Sequence, residues 1–113
     1  MALLRGTLDV LVLKALSWGP LHGFEISRWI EERSGGQIEI EDAALLQALH
    51  RLEGRGLLEA EWGVTVNNRR ARYYRLTAEG RVALRKDAAA VTESAEALTR
   101  ILALRTADER GNR

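Results

Sequence analysis

The sequence predicts a mainly α fold that carries one small β-hairpin, and three patterns support this prediction. Apolar residues recur with helical spacing over about residues 42–55, two short extended runs flank Asn67-Asn68 directly afterwards, and a heptad pattern continues to about residue 104. The hairpin contains several arginines. A helix with a polar face followed at once by an arginine-tipped hairpin is the layout of a winged helix-turn-helix, which binds duplex DNA with both elements.

Composition places the chain among soluble globular proteins with one domain. It has 113 residues, of which 46% are hydrophobic and 29% are charged, and it has no cysteine. The lack of cysteine excludes disulfides and thiolate metal sites and suits a reducing cytoplasm. The longest apolar run, from Leu8 to Leu16, is interrupted by Asp9 and Lys14 and is too short to span a bilayer. We therefore expect a cytoplasmic protein without a membrane segment.

The first helix is predicted from Arg5 to Trp18. Its apolar residues lie at helical spacing and are more numerous than one contact face requires. Part of this surface should therefore meet a second subunit, with Leu8 and Leu11 as the candidates. The segment Ser17-Trp18-Gly19-Pro20 then breaks the helical pattern.

The second helix is predicted from this break to about Arg33, where Ser34-Gly35-Gly36 stops it. Residues 37–40 alternate with period two, which predicts a short strand beside the hairpin. The residues expected on the buried side of the second helix are Phe24, Ile26, Trp29 and Ile30.

The third helix is predicted over about residues 42–55, with Asp42 as its N-cap and with Gly54 and Gly56 ending it. Its polar face carries Gln47, His50 and Arg51. The amide of Gln47 matches the N6 and N7 atoms of adenine in the major groove, and its alternative is a solvated helix residue. The opposite face should be buried through residues at i, i+3, i+4 and i+7: Leu45, Ala48, Leu49 and Leu52.

The predicted wing covers about residues 62–76 and contains four arginines but no acid, although the net charge of the chain is only +1. This local basic edge favours phosphate contact over a solvated face, with one of Arg72 and Arg75 as a structural alternative. Tyr73 and Tyr74 point to opposite faces of a strand. One is therefore expected in the core and the other, which we assign to Tyr74, against DNA or the third helix.

Thr77 is predicted to cap a last helix that continues to about Leu104. Apolar residues then recur with spacings of four and three, a heptad seam that one small domain cannot cover alone, so the simplest partner is a second copy of the chain. The chain thus divides into a DNA-binding domain at 1–77, a dimerisation helix at 78–105 and a flexible tail at 106–113. The residues of the last helix assigned to the homodimer contact are Leu84, Val91, Leu98, Ile101 and Leu102.

Four motifs resemble the PadR family of bacterial transcriptional regulators, over roughly Leu3 to Leu84. The resemblance implies a dimeric winged helix-turn-helix, usually a repressor, with DNA contacts on the third helix and the wing. The short C-terminal part is similar to the small PadR subfamily, in which the last helix packs with the partner's first helix. The motifs are Leu4-Arg5-Gly6-Thr7-Leu8-Asp9, Gly19-Pro20-Leu21-His22-Gly23-Phe24, Ala48-Leu49-His50-Arg51-Leu52-Glu53 and the wing sequence from Asn67 to Thr77.

One segment departs from the family pattern. Where many members have Ser-Leu-Tyr-Pro, this chain has Ala44-Leu45-Leu46-Gln47. The missing hydroxyls are potential phosphate or base contacts, so family expectations transfer poorly to positions 44, 46 and 47. The residues predicted to bind DNA are Ala44, Gln47, His50, Arg51, Arg69, Arg70, Arg72 and Tyr74.

Other functions have less support in the sequence. No nucleophile and base, glycine-rich phosphate loop or metal cluster indicates an enzyme, so we expect no catalytic residue, metal or cofactor. The main alternative is a winged-helix protein-interaction module, which pairing of the wing arginines with Glu59 and Glu61 would favour. The tryptophans at positions 18, 29 and 62 are expected in the core. Their alternative, implied by the resemblance, is a dimer-interface site for a flat small-molecule effector of unknown identity.

Overall fold

The computed structural model describes residue 3 and residues 6–106, and this part of the chain contains four α-helices and one three-stranded sheet. The predicted mainly α fold with a hairpin wing is confirmed. Arg5, the predicted start of the first helix, and nearly all of the predicted tail at 106–113 lie outside the described residues. The elements are α1 Thr7–Ala15 with a 3₁₀ turn Leu16–Trp18, β1 Leu21–His22, α2 Gly23–Arg33, α3 Asp42–Gly54, β2 Leu58–Val64, β3 Arg70–Leu76 and α4 Ala78–Leu102.

The sheet is antiparallel, with β3 between β1 and β2. β2 and β3 form the hairpin, in which Leu58 pairs with Leu76 at the base and Val64 pairs with Arg70 near the tip. The strand predicted at residues 37–40 is wrong. Both sides of β3 are already paired, and this segment is instead a loop whose two isoleucines pack against the core. Its period-two pattern therefore reflects alternate burial in a loop.

The core lies between the first three helices and the base of the hairpin. Val12, Ile26, Leu52 and Leu58 are each no more than 2% exposed. Burying one such side chain stabilises the fold by about 1.5 to 3 kcal/mol. Because these residues come from α1, α2, α3 and β2, the core holds α3 in a set position beside the hairpin.

The two ends of α3 differ in how well the sequence predicted them. At its C-terminus Gly56 has a φ of 77°, and the Leu57 N–H donates to the Leu52 carbonyl oxygen at 3.0 Å, as in a Schellman motif. At its N-terminus the predicted N-cap, Asp42, is wrong. Glu41 is the N-cap residue because its carbonyl oxygen already accepts a helical hydrogen bond, and no side chain caps this end.

Thr77 caps α4 as predicted. Its Oγ1 accepts from the Gly80 N–H at 3.0 Å and donates to the Gly56 carbonyl oxygen at 2.7 Å. At Gly80 a Cβ would collide with the Leu57 carbonyl oxygen, so the glycine lets α4 start directly against the loop between α3 and β2. The first half of α4 packs near α1, whereas every side chain from residue 92 to residue 106 is exposed. None of the described helices has the length and apolar character needed to cross a bilayer.

Three aromatic residues expected inside the protein lie outside it. Trp18, Phe24 and Trp62 are 77%, 66% and 59% exposed, whereas Trp29 is half buried. Trp18 lies in the 3₁₀ turn, Phe24 in the first turn of α2 and Trp62 in the outer half of β2. Each is near the end of its element, beyond the part that the core covers. Burial predicted from hydrophobicity alone fails at such positions.

Candidate nucleic-acid interface

The exposed face of α3 carries the polar side chains that the sequence placed there. Gln47, His50 and Arg51 are exposed, as are Ala44 and Leu46. The opposite face is buried in the core as predicted. One anchored face leaves the other as a fixed row of side chains on a single helix, and a helix of this kind fits the major groove of B-DNA.

Arg51 also links α3 to α1. Its Nη2 donates to Oδ1 of Asp9 at 2.7 Å, and its side chain remains 54% exposed. The hydrogen bond and the negative charge of Asp9 raise the pKa of Arg51. Ion pairs at the surface contribute only about 0 to 1 kcal/mol. Arg51 can therefore exchange Asp9 for a phosphate at little cost.

The wing tip presents two arginines whose charges are not neutralised by a neighbour. The turn between β2 and β3 closes with the Thr65 N–H donating to the Arg69 carbonyl oxygen at 2.8 Å, and Asn68 has a φ of 59°, as suits the predicted turn. Arg69 and Arg70 are exposed, and within the described residues neither has a carboxylate partner. The Arg70 guanidinium lies 4.6 Å from the centroid of the Trp62 ring, which positions the cation without cancelling its charge.

The other two hairpin arginines are paired. Arg72 donates to both carboxylate oxygens of Glu53, at 3.1 and 2.8 Å, and so joins β3 to α3. Arg75 donates to Glu59 across the hairpin at 2.7 Å and lies 3.8 Å from Glu61. The sequence had left one of these two arginines as a structural alternative, whereas both pair with carboxylates.

Tyr73 and Tyr74 face opposite sides of β3 as predicted, but the core member is Tyr74. It is 4% exposed and belongs to the core cluster, which leaves it no surface to offer to DNA and removes it from the predicted DNA-binding set. It also lies under the Arg72 guanidinium and is the largest cause of the raised pKa of Arg72. Tyr73 is half buried, with its ring over Gly63, where an added Cβ would be 2.8 Å from a ring carbon.

An open groove of about 690 Å³ separates α2 from the wing tip. Phe24 and Trp29 line its α2 side, and Arg69 and Arg70 line its wing side. Sequence reasoning missed this surface because it assigned both aromatic residues to the buried side of α2. The missed signal is the spacing of four residues that places Arg28 over the Phe24 ring and Arg33 over the Trp29 ring.

His22, at the edge of the groove, caps α2. Its Nδ1 accepts from the Glu25 N–H at 3.4 Å, and Oε1 of Glu25 accepts from the His22 N–H at 3.1 Å. This capping box explains the histidine in structural terms. Across residue 3 and residues 6–106, no group of three or more histidines and carboxylates is arranged to hold a metal ion.

The residues predicted for the dimer contact form two groups. Leu8, Leu11 and Leu84 are half buried and pack at the edge of the core, and Val91 is also half buried. Farther along α4 the exposed fraction rises. Leu98, Ile101 and Leu102 are 46%, 64% and 80% exposed.

Known proteins resemble this chain in sequence and in fold. Residues 12–86 match the model of the transcriptional regulator PadR-like family. An uncharacterized protein of Lysinibacillus sphaericus is 32% identical over 82 residues, which cover 73% of this chain and 75% of that protein. The crystal structure of a PadR family transcriptional regulator from Eggerthella lenta has 32% identity and a TM-score of 0.73, covering 89% of this chain and 86% of that chain. Bacillus subtilis PadR in complex with operator DNA shares the fold, with 21% identity and a TM-score of 0.64, covering 71% of this chain and 45% of that chain.

Proposed function

Because the chain belongs to the PadR-like family of transcriptional regulators, we propose that it is a repressor that binds duplex operator DNA as a homodimer. In each subunit α3 enters the major groove and the wing tip contacts the adjacent phosphate backbone. The side chains proposed to meet DNA are Ala44, Gln47, His50, Arg51, Arg69 and Arg70. Acting on the genome, the protein would work in the cytoplasm.

The observation that supports this proposal most is that two suitable surfaces lie next to each other on elements packed around one core. α3 has an exposed polar face, and the wing beside it carries Arg69 and Arg70 without carboxylate partners in the described structure. Such cations release condensed counterions when they meet phosphates, which supplies affinity. Polar groups on the helix can then add sequence preference through base edges.

The homodimer is supported by the exposed apolar side chains of the distal half of α4. Leu98, Ile101 and Leu102 would be covered by the same surface of a second copy in a twofold arrangement. A twofold dimer presents two copies of α3 and therefore prefers inverted repeats in DNA. Occupying such a site is the means by which the protein would repress transcription.

A protein-interaction module without specific DNA binding is the second candidate, and one observation favours it. Arg75 does pair with Glu59 and lies near Glu61, as that alternative requires of the wing arginines. The two tip arginines make no such pair in the described part of the chain. Because the tip is the part that would reach DNA first, the regulator remains the better supported function.

Selection of bound fragments from the organism's own genomic DNA tests the proposal. We expect enrichment of fragments that contain inverted repeats. Binding should weaken with salt with a log–log slope of about −3.6 or steeper, since each of the four tip arginines in a dimer contributes about −0.9. No enrichment at low salt would overturn the proposed function.

A further inference from the structure

The ion pair between Glu53 and Arg72 has two hydrogen bonds of 3.1 Å or shorter, whereas the similar pair between Asp9 and Arg51 has one bond of 2.7 Å and one of 3.5 Å. Two N–H groups of Arg72 reach the two oxygens of Glu53, in the parallel arrangement that fixes direction as well as distance. The side chains are 36% and 29% exposed, for Arg72 and Glu53 respectively. Glu53 lies in the last turn of α3 and Arg72 in the outer half of β3. The pair therefore bridges the two elements proposed to contact DNA.

Few other interactions hold the outer half of the hairpin against α3. Trp62, which lies opposite Arg72, is exposed, as are Val64 and Arg70 nearer the tip. Within the described residues, no other ion pair joins α3 to the hairpin. Packing and the pairing of β1 with β3 as far as Tyr73 anchor the base of the hairpin, and the Glu53–Arg72 bridge lies beyond them toward the tip.

We propose that Glu53 is a positioning residue for DNA binding, which holds Arg72 and so sets the placement of the wing tip relative to α3. The inference rests on the proposed function and deepens it. It also gives Arg72 a role different from the phosphate contact predicted from the sequence. Arg69 and Arg70 contact the backbone, and the bridge keeps them at the spacing at which α3 can read the adjacent groove.

Charge alone makes the opposite prediction for Glu53. A carboxylate near the DNA repels phosphate, so removing its charge would raise affinity for every sequence if electrostatics were its only effect. Loss of positioning instead lowers affinity for the operator, because helix and wing no longer fit one site together. The sign of the change therefore separates the two explanations.

The test compares Glu53→Gln with Glu59→Gln. Both variants remove one negative charge from a glutamate paired with a hairpin arginine, but the Glu59–Arg75 pair joins β2 to β3, whereas the Glu53–Arg72 pair joins α3 to β3. Affinity is measured for an operator selected by the wild-type protein and for a random duplex, over a series of salt concentrations. We expect Glu53→Gln to lower the ratio of operator to random affinity about tenfold, a size typical of coupled charged pairs. Glu59→Gln should leave this ratio unchanged.

Two further variants guard against a simple loss of folding. Arg72→Lys keeps the charge but loses the two-pronged hydrogen bond, so it should lower the same ratio with an unchanged salt slope. The double variant Glu53→Gln with Arg72→Ala removes both partners of one bridge. It should therefore lower the ratio of operator to random affinity no more than the more severe of its two single substitutions does. Circular dichroism and the melting temperature report whether each variant is folded, and Arg72→Lys decides the matter if Glu53→Gln does not fold.

Distinct outcomes overturn the two proposals. A wild-type protein that selects no DNA would remove the proposed function and, with it, the role of Glu53. If the wild type binds an operator but Glu53→Gln raises its affinity in parallel with Glu59→Gln, the regulator stands and the positioning role fails. An affinity for the operator that is unchanged in Arg72→Lys would overturn it as well.

Discussion

The wing tip and the distal half of α4 are both exposed, but they expose opposite kinds of side chain. The tip presents Arg69 and Arg70, which water solvates well, whereas the end of α4 presents Leu98, Ile101 and Leu102. Exposed arginines alone imply no partner. A continuous row of exposed large apolar side chains favours one, because covering the row releases water that gains entropy and so lowers the free energy. The exposed apolar residues of α4 therefore indicate a partner more strongly than the exposed arginines of the wing tip do. The two regions also indicate partners of different kinds.

The two arginines of the wing tip differ from the other two arginines of the same hairpin. Arg72 and Arg75 are paired with glutamates that neighbouring elements supply, whereas Arg69 and Arg70 are left without such partners among the described residues. Residue type is the same at all four positions, so the environment makes the difference. We therefore expect the four arginines to respond differently to substitution.

The largest effect is expected from Leu98→Asp, which tests whether the exposed apolar residues of α4 form the dimer contact. A charge in the proposed α4 contact costs several kcal/mol unless it reaches water. The variant should be a monomer with most of its helix content intact. Because two linked half-sites gain about 10² to 10⁴ in affinity over one, operator binding should fall by a factor in this range. Sedimentation at micromolar concentration and binding assays would measure both changes.

Ala89→Asp is the matched control for this variant. Ala89 is also exposed on α4, but it lies nine residues before Leu98 and so on the opposite side of the helix. It should remain a dimer with unchanged operator affinity. A wild-type monomer, or a dimeric Leu98→Asp protein that binds DNA normally, would refute the proposed role of α4.

The second-largest effect is expected from removing the exposed arginines of the wing tip. The double variant Arg69→Ala with Arg70→Ala should weaken binding to operator and random DNA alike. It removes up to four phosphate contacts from a dimer, so the log–log salt slope should flatten by about 3.6. Arg75→Ala, which removes a paired arginine from the base, should change the slope little.

A second control removes equal charge away from the wing. Arg85→Ala with Arg100→Ala also deletes two exposed arginines, but from α4. It should leave most of the salt slope in place. Equal flattening by both double variants would mean that net charge matters and that the wing tip is no special contact.

The sequence predicted those parts of the fold that depend on strong local signals. Helical spacing predicted α3, and Thr77 and Gly56 act at helix ends as their residue types indicate. The errors have tertiary causes. The loop at residues 37–40 has the pattern of a strand but finds both sides of β3 occupied, and Tyr74 rather than Tyr73 faces the core because of the hairpin register. Local pattern cannot supply either fact.

The sequence predicted which types of residue form the candidate site better than it predicted the role of each residue. The sequence identified the basic hairpin and the polar face of α3, but it could not distinguish Arg70 from Arg72. That distinction depends on Glu53, which is 19 positions away in the chain and reaches Arg72 only after α3 and the hairpin have packed. The exposed Trp62 beneath Arg70 was missed for the same reason. Contacts between distant segments decide which arginine remains available.

The smallest effect is expected from Gln47→Ala, which asks whether the polar region reads bases or only phosphates. Gln47 is exposed on α3, and its neutral amide releases no counterion, so the salt slope and the affinity for random DNA should stay unchanged. The free-energy preference for adenine at one base pair of the operator should fall by about 1 to 3 kcal/mol. Binding to an operator series substituted at one base pair at a time measures this preference. Gln37→Ala, the same change at an exposed loop position outside α3, should preserve it. Equal weakening of operator and random DNA by Gln47→Ala would remove its role in sequence recognition and leave the wing tip as the only tested DNA contact.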